Sequence, residues 1–106
     1  MDDVTERGAL LARIRPWSVG VNLAGLPVTA GFPAPCRLEI YENGLFVHAL
    51  IVAEFIERGK IMLITRAPLG VRIHWEYSAG EAIAFVVSFR RGRLIRALED
   101  AGYPVA

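Results

Sequence analysis

A turn signal at Glu42-Asn43-Gly44 constrains the fold more than any other feature of the sequence. It separates two apolar-rich runs, residues 36–41 and residues 45–53. Because Asn and Gly tolerate the positive φ angles of a type I′ turn, Asn43-Gly44 between such runs predicts a tight β-hairpin. The second run is apolar on both faces, so we expect it to form one central strand.

Alternation of apolar and polar side chains predicts further strands on both sides of this hairpin. Every second side chain is apolar in residues 17–23, and residues 71–77 show the clearest alternation in the chain. Residues 82–89 carry larger apolar side chains on one face and smaller ones on the other. A period of two is typical of strands. Shorter strands are expected at residues 26–30 and 61–65, with polar turns at residues 54–60, 66–70 and 78–80.

The hydrophobic period changes from two to that of a helix near Arg93. The apolar residues with helical spacing are Leu94, Ile95, Leu98 and Ala101. They predict a final amphipathic helix of about three turns. Gly102 stands where a left-handed C-cap residue is expected.

The start of the chain is ambiguous. Asp3 and Glu6 have the spacing of a helix cap, but residues 1–15 also suit a first strand. The acidic start is not typical of a secretory signal, and the single cysteine excludes an internal disulfide. We therefore expect a cytoplasmic protein.

An uncharged stretch of 21 residues runs from Pro16 to Cys36. It is long enough to cross a bilayer, but its prolines and glycines would leave backbone groups unpaired in hydrocarbon. This composition argues against a transmembrane span and leaves only peripheral membrane association. The stretch also holds the candidate partner-binding residues Trp17 and Phe32, which would anchor a second chain. Alternatively, the stretch completes the core.

Length and charge restrict the classes of partner. At 106 residues the chain is expected to form one domain, residues 1–106, and 54% of its residues are hydrophobic. Because a domain of this size has a limited interior, some apolar residues must reach the surface. This favours self-association or binding of another protein. A net charge of +1 creates no general attraction to nucleic acid.

Residues 38–45, 55–61, 70–75 and 94–102 carry a resemblance to the pleckstrin-homology (PH) architecture, and more narrowly to the small bacterial PH-like domains. The resemblance covers about residues 36–105. It implies a mainly β fold, an antiparallel barrel or sandwich of six or seven strands closed by the C-terminal helix. It also implies a non-enzymatic interaction or scaffolding module. Eukaryotic relatives bind phosphoinositides through basic residues on the first two strands, whereas residues 16–36 contain no Lys or Arg.

Four arginines, Arg90, Arg91, Arg93 and Arg96, surround the start of the predicted helix. Positive charge is mildly unfavourable there, because a helix N-terminus prefers anions. One interpretation is that the arginines bind an anionic ligand or an acidic partner. The other is that they are solvated and that Arg96 pairs with Asp100 at i+4.

No catalytic, metal or cofactor site emerges from the remaining polar residues. His48, His74 and Cys36 are too few and too scattered to predict a metal site, and Cys36 lacks a recognisable base. We therefore expect a module that self-associates or binds a protein, rather than an enzyme. The alternative function is binding of a small anionic ligand or lipid headgroup at the barrel mouth and the cluster Arg90–Arg96. A pocket that joins His48, His74 and Cys36 would favour catalysis instead.

Overall fold

The computed structural model of the protein describes residues 7–23, 25–31, 34–78 and 80–106. In these residues nine strands form two antiparallel sheets, followed by a helix near the end of the chain. The strands are β1 Leu10–Ile14, β2 Ser18–Leu23, β3 Leu26–Gly31, β4 Cys36–Tyr41, β5 Gly44–Ala49, β6 Val52–Glu57, β7 Ile61–Ala67, β8 Gly70–Tyr77 and β9 Gly80–Val87. A 3₁₀ turn spans Arg58–Lys60, and helix α1 spans Arg91–Asp100.

The mainly β fold class with a C-terminal helix is confirmed, and the molecule is a sandwich rather than a closed barrel. The four-stranded sheet has the order β1-β4-β5-β6, and the five-stranded sheet has the order β3-β2-β9-β8-β7. The expected number of six or seven strands was too low. One additional strand is β1, which settles the ambiguity of the first segment as a strand over residues 10–14. Residues 1–6 lie outside the described part of the chain.

The predicted single strand over residues 45–53 is wrong, because the chain reverses within it. Ala49 pairs with Val52 across a two-residue turn, Leu50-Ile51, which joins β5 to β6. The turn carries no Gly, Asn or Pro, and Leu50 adopts a left-handed φ of 59°. A bulky residue in that region is strained, so only the pairing of the two flanking strands explains this turn. Strand β6 then extends through part of the predicted polar turn at residues 54–60.

The hairpin between β4 and β5 is confirmed, but its turn differs from the one predicted. Tyr41 pairs with Gly44, so the turn residues are Glu42 and Asn43. Neither Asn43 nor Gly44 is among the described residues with positive φ. A Cβ at Gly44 would collide with the carbonyl oxygen of Ile56 and the ring of Phe55. The glycine is therefore required for close approach of β6 rather than for turn geometry.

Strand β9 places its smaller apolar side chains in the core. Ala82, Ala84 and Val86 are buried, whereas Phe85 on the alternate face is exposed. Ala84 pairs with Ile73 of β8, and helix α1 packs on β8. Small residues on β9 therefore leave space for the helix and for the larger β8 side chains.

Helix α1 closes one side of the core and ends as predicted. Leu94, Ile95 and Leu98 are buried in the main hydrophobic cluster. Gly102 adopts a φ of +88°, and the Tyr103 amide donates a 2.9 Å hydrogen bond to the Leu98 carbonyl. This is the pattern of a glycine C-cap.

Arg58 joins the end of α1 to the sheets. Its guanidinium donates hydrogen bonds to the carbonyls of Gly102 at 3.1 Å and Ala101 at 2.8 Å. Its Nε donates to the Glu42 carbonyl at 2.9 Å, and the Tyr103 hydroxyl donates to the Tyr41 carbonyl at 2.6 Å. A cation at the helix C-terminus satisfies free carbonyls and interacts favourably with the helix dipole. No helix within the described ranges combines the length and apolar character required to cross a membrane.

Candidate functional site

The solvent-facing side of strand β9 carries an apolar surface, which we call the β9 patch. It comprises Ile83, Phe85 and Val87 of β9, Phe89 just beyond the strand, and Trp17, whose ring lies against that of Phe89. Phe85 is 40% exposed and Phe89 is 73% exposed. The outward face of an antiparallel sheet is ordinarily polar, so a row of large apolar side chains on a central strand needs a separate explanation.

The β9 patch stays open because small residues flank it. Phe85 pairs with Gly20 on β2, and Val87 pairs with Ser18 on β2 and with Gly70 on β8. Short neighbouring side chains cannot cover the patch. Two larger side chains on β8 also border it: His74 pairs with Ile83, and the Arg72 guanidinium carbon lies 5.0 Å from the Phe85 ring centroid, a cation–π distance.

Trp17, a predicted partner-binding residue, belongs to the β9 patch. Its amide donates a 2.7 Å hydrogen bond to the Val87 carbonyl, which holds it at the end of β9. Its ring is 45% exposed and lies 5.2 Å from the Phe89 ring, centroid to centroid. Phe32, the other predicted anchor, lies outside the described residues. The uncharged stretch also contributes to the core, as the alternative interpretation expected, since Val19 and Val21 are buried there.

Charged groups of both signs border the β9 patch. Arg72 and Glu76 project from the same face of β8, two residues on either side of His74. His74 Nδ1 lies 3.5 Å from the Glu81 carboxylate, and Glu81 pairs with Glu76 across the two strands. Arg72 therefore lies beside the centre of the patch, and Glu76 and Glu81 lie at one end of it.

The structure separates the four predicted arginines. Arg90 and Arg93 line a cavity of about 300 Å³, and Arg91 instead donates a 3.4 Å hydrogen bond to the Pro68 carbonyl. Arg96 is exposed on α1 and does not line that cavity, and the ion pairs found in the described ranges do not include Arg96 with Asp100.

Two arginines that the sequence analysis missed complete this cavity. Arg13 and Arg15, from the end of β1, line it together with Arg90 and Arg93. Arg13 also pairs with the buried Glu39 of β4 at 3.1 Å. The closeness of the two arginines in sequence was a visible signal, but only the position of β1 against the segment before α1 brings them to Arg90 and Arg93.

The outer face of the four-stranded sheet is covered by the chain itself. The Arg7 guanidinium carbon lies 4.9 Å from the Phe46 ring centroid and 5.0 Å from that of Phe55. It also lies 5.6 Å from the Tyr41 ring, and its Nε is buried without a hydrogen-bond partner. The guanidinium of Arg7 therefore already makes cation–π contacts with these rings, in contrast to the exposed rings of the β9 patch.

Cys36 and His48 line one cavity of about 350 Å³ but do not form a nucleophile–base pair. Burial raises the pKa of the Cys36 thiol, which donates instead to the Pro16 carbonyl at 3.6 Å. A raised pKa keeps the sulfur protonated and unreactive. His74 lies in the other sheet, so the three residues are not brought together. Within the described ranges no three His, Cys, Asp or Glu side chains group as metal ligands.

Similarity to known proteins offers no independent assignment. Comparison of the chain with protein-family models, with curated proteins and with solved structures finds no match.

Proposed function

We propose that this chain is a protein-interaction module that self-associates through the β9 patch. The observation that carries the proposal is the apolar outward face of a central strand, with Phe85 and Phe89 exposed and Trp17 against Phe89. Removing apolar surface from water favours association, and part of this gain is offset by the freedom that the two chains and their side chains lose. Aromatic anchors are also enriched at interface centres.

The proposed partner is a second copy of the same chain. A two-fold interface uses the same surface on both subunits, so that surface must be complementary to itself. The β9 patch is apolar along β9, with Arg72 beside its centre and with Glu76 and Glu81 at one end of the same sheet face. In a two-fold dimer, Arg72 of one copy can lie against Glu76 or Glu81 of the other while the aromatic rings of both copies are buried.

The PH-like relationship is part of this proposal. Two packed antiparallel sheets followed by a helix are consistent with the element order that the resemblance implies. The resemblance also implies an oligomerising or protein-binding role, and such a role requires no catalytic group.

Self-association is tested by the solution mass of the chain at concentrations far apart. We expect the mass of the native chain to rise with concentration toward that of a dimer. The double variant Phe85→Thr/Phe89→Ser should remain monomeric, because it removes two anchors while Thr preserves strand propensity. Ile51→Ser is the matched control: Ile51 is 88% exposed, but it lies on a turn of the other sheet. A native chain that stays monomeric, or a double variant that still dimerises, would contradict the proposal.

A further inference from the structure

A second candidate site lies at the junction of β1 and α1, away from the centre of the β9 patch. A cavity of about 300 Å³ is lined by residues at and just after the end of β1 and by residues before and within the first turn of α1, namely Arg13, Ile14, Arg15, Ser88, Arg90, Arg93 and Leu94. We call this site the arginine cavity. Its volume is at the lower end of the range for small-molecule sites, so the occupant must be compact.

The positive charge in the arginine cavity is largely uncompensated by the protein. Arg13 pairs with Glu39, but that carboxylate also lies 3.5 Å from Arg37. Among the described residues, the recorded ion pairs include none for Arg15, Arg90 or Arg93. Like charges around one cavity repel each other, and an anion bound between them relieves that repulsion.

The backbone adds donors beside the same cavity. Helix α1 begins there without a side-chain hydrogen bond at its N-cap, which is Arg90, and without an acidic residue in its first turn. The first amides of a helix have no partner within the helix and favour anions. A Cβ at Gly92 would meet no atom within 4 Å, so the first turn is open to approach. The Ser88 hydroxyl, which accepts a 3.1 Å hydrogen bond from the Arg90 amide, still has its own proton to donate.

We propose that the arginine cavity binds a phosphomonoester in its dianionic form. Arginines from two separate parts of the chain line the cavity, so donors surround an anion from more than one direction, which suits a tetrahedral group with three acceptor oxygens. The net charge of +1 creates no extended field for a polyanion such as nucleic acid. One phosphate with a short organic group also suits the size of the cavity. The same chemistry occurs in soluble sugar or glycerol phosphates and in the headgroup of phosphatidic acid.

The direct test is titration of the native chain with glycerol 3-phosphate, followed by calorimetry. Binding should be tighter at pH 7.5 than at pH 5.5, because the second proton of a phosphomonoester leaves near pH 6 while arginines stay charged. Dimethyl phosphate, which keeps a single negative charge, should bind weakly and equally at both values. Absence of glycerol 3-phosphate binding together with absence of binding to phosphatidic acid vesicles would overturn the proposal.

Substitution of the lining arginines tests whether the phosphomonoester binds in the arginine cavity. Arg15→Gln/Arg93→Gln should weaken glycerol 3-phosphate binding about tenfold or more, since each substitution removes a charge-assisted hydrogen bond. Arg96→Gln is the matched control, because Arg96 is exposed on the same helix but does not line the cavity. Equal weakening by both variants would mean unspecific attraction and would contradict the site. If the double variant does not fold, Arg93→Lys, which keeps the charge but loses the planar fork, should still weaken binding.

Vesicle flotation distinguishes the two sources of the phosphomonoester. Vesicles of phosphatidylcholine with phosphatidic acid are compared with phosphatidylcholine alone. Flotation that requires phosphatidic acid and is lost in Arg15→Gln/Arg93→Gln supports a lipid source. Binding of glycerol 3-phosphate without such flotation supports a soluble one. Flotation that persists in the double variant, with no binding of the soluble ligand, would contradict the arginine cavity as the site.

Discussion

Single residues in this protein are constrained by contacts that their local sequence does not reveal. Gly44 follows Asn43 in a typical turn sequence, yet it is the carbonyl of Ile56 that excludes a side chain there. Leu50 holds a left-handed conformation that its own side chain disfavours. Glu54 is a third case, because it is a carboxylate partly withdrawn from water on strand β6.

Glu54 leads to a prediction about pH. Burial raises the pKa of its carboxyl above the ordinary value of 4.5. The folded state therefore binds the proton more tightly than the unfolded state. Its stabilising contribution is present below the unfolded pKa and is lost as the pH rises through the raised folded pKa. At neutral pH, Glu54→Gln should raise the free energy of unfolding by about 0.3 kcal/mol, a small value because the side chain is only partly buried.

Urea unfolding of Glu54→Gln at pH 4 and pH 7 measures this effect. The gain over the native chain should be present at pH 7 and disappear at pH 4. Glu57→Gln is the control, since Glu57 lies on the same strand but is exposed. A Glu54→Gln variant that is less stable than the native chain at pH 7 would show that the carboxylate makes a favourable interaction instead.

Strand β9 shows that side-chain alternation can predict a strand and its two faces without predicting which face is buried. Two faces were distinguishable from the sequence, one with larger and one with smaller apolar side chains. Bulk alone favours burial of the larger face, because that would remove more apolar surface from water. The smaller face is buried because β9 lies between β2 and β8 and shares its inner side with the large residues Ile73 and Trp75. The larger face is consequently left to the solvent.

This orientation predicts that substitutions on the two faces of β9 change the free energy of unfolding by different amounts. Ala84 is fully buried, so Ala84→Leu should lower the free energy of unfolding by about 1–3 kcal/mol through overpacking. Phe85→Thr, one residue along the strand, should change monomer stability much less, because half-exposed side chains contribute less to the core. Denaturant unfolding at low protein concentration measures both. Similar losses for the two variants would mean that the outward face also supports the monomer fold.

At the scale of the whole molecule, the helix and both sheets contribute to one hydrophobic cluster. Leu94 and Leu98 of α1 are grouped with Val19 and Val47, which belong to different sheets. Arg58 and Tyr103 add hydrogen bonds between the helix end and the hairpin β4–β5. Shared burial of this kind favours a single cooperative unfolding transition.

Leu98 tests that cooperativity. Because it is fully buried, Leu98→Ala should lower the free energy of unfolding by about 2–5 kcal/mol. The circular dichroism signal of the backbone and the fluorescence of the buried Trp75 should lose their native values at the same denaturant concentration, in the native chain and in the variant. Early loss of the helical signal alone, with Trp75 still protected, would show that α1 is an independent unit.

Much of the secondary structure followed from the sequence alone, because its determinants are local. Side-chain alternation over residues 17–23 and 71–77, the hairpin around Asn43, and Gly102 after a helical period depend on neighbours a few positions away. The turn at Leu50 could not be predicted in this way, since its residues carry no turn chemistry and only strand pairing explains it. The division into two sheets likewise depends on contacts between distant segments.

The candidate sites also combine features that the sequence predicts with features that depend on tertiary contacts. Composition alone indicates more apolar side chains than one small core hides, and the sequence already places arginines around the helix start. Trp17 meets Phe89, and Arg13 and Arg15 join Arg90 and Arg93, through contacts between segments far apart in the chain. The difference arises because periodicity and turn chemistry act over a few residues, whereas the choice of buried face and the convergence of charges depend on how the two sheets and the helix fill one interior.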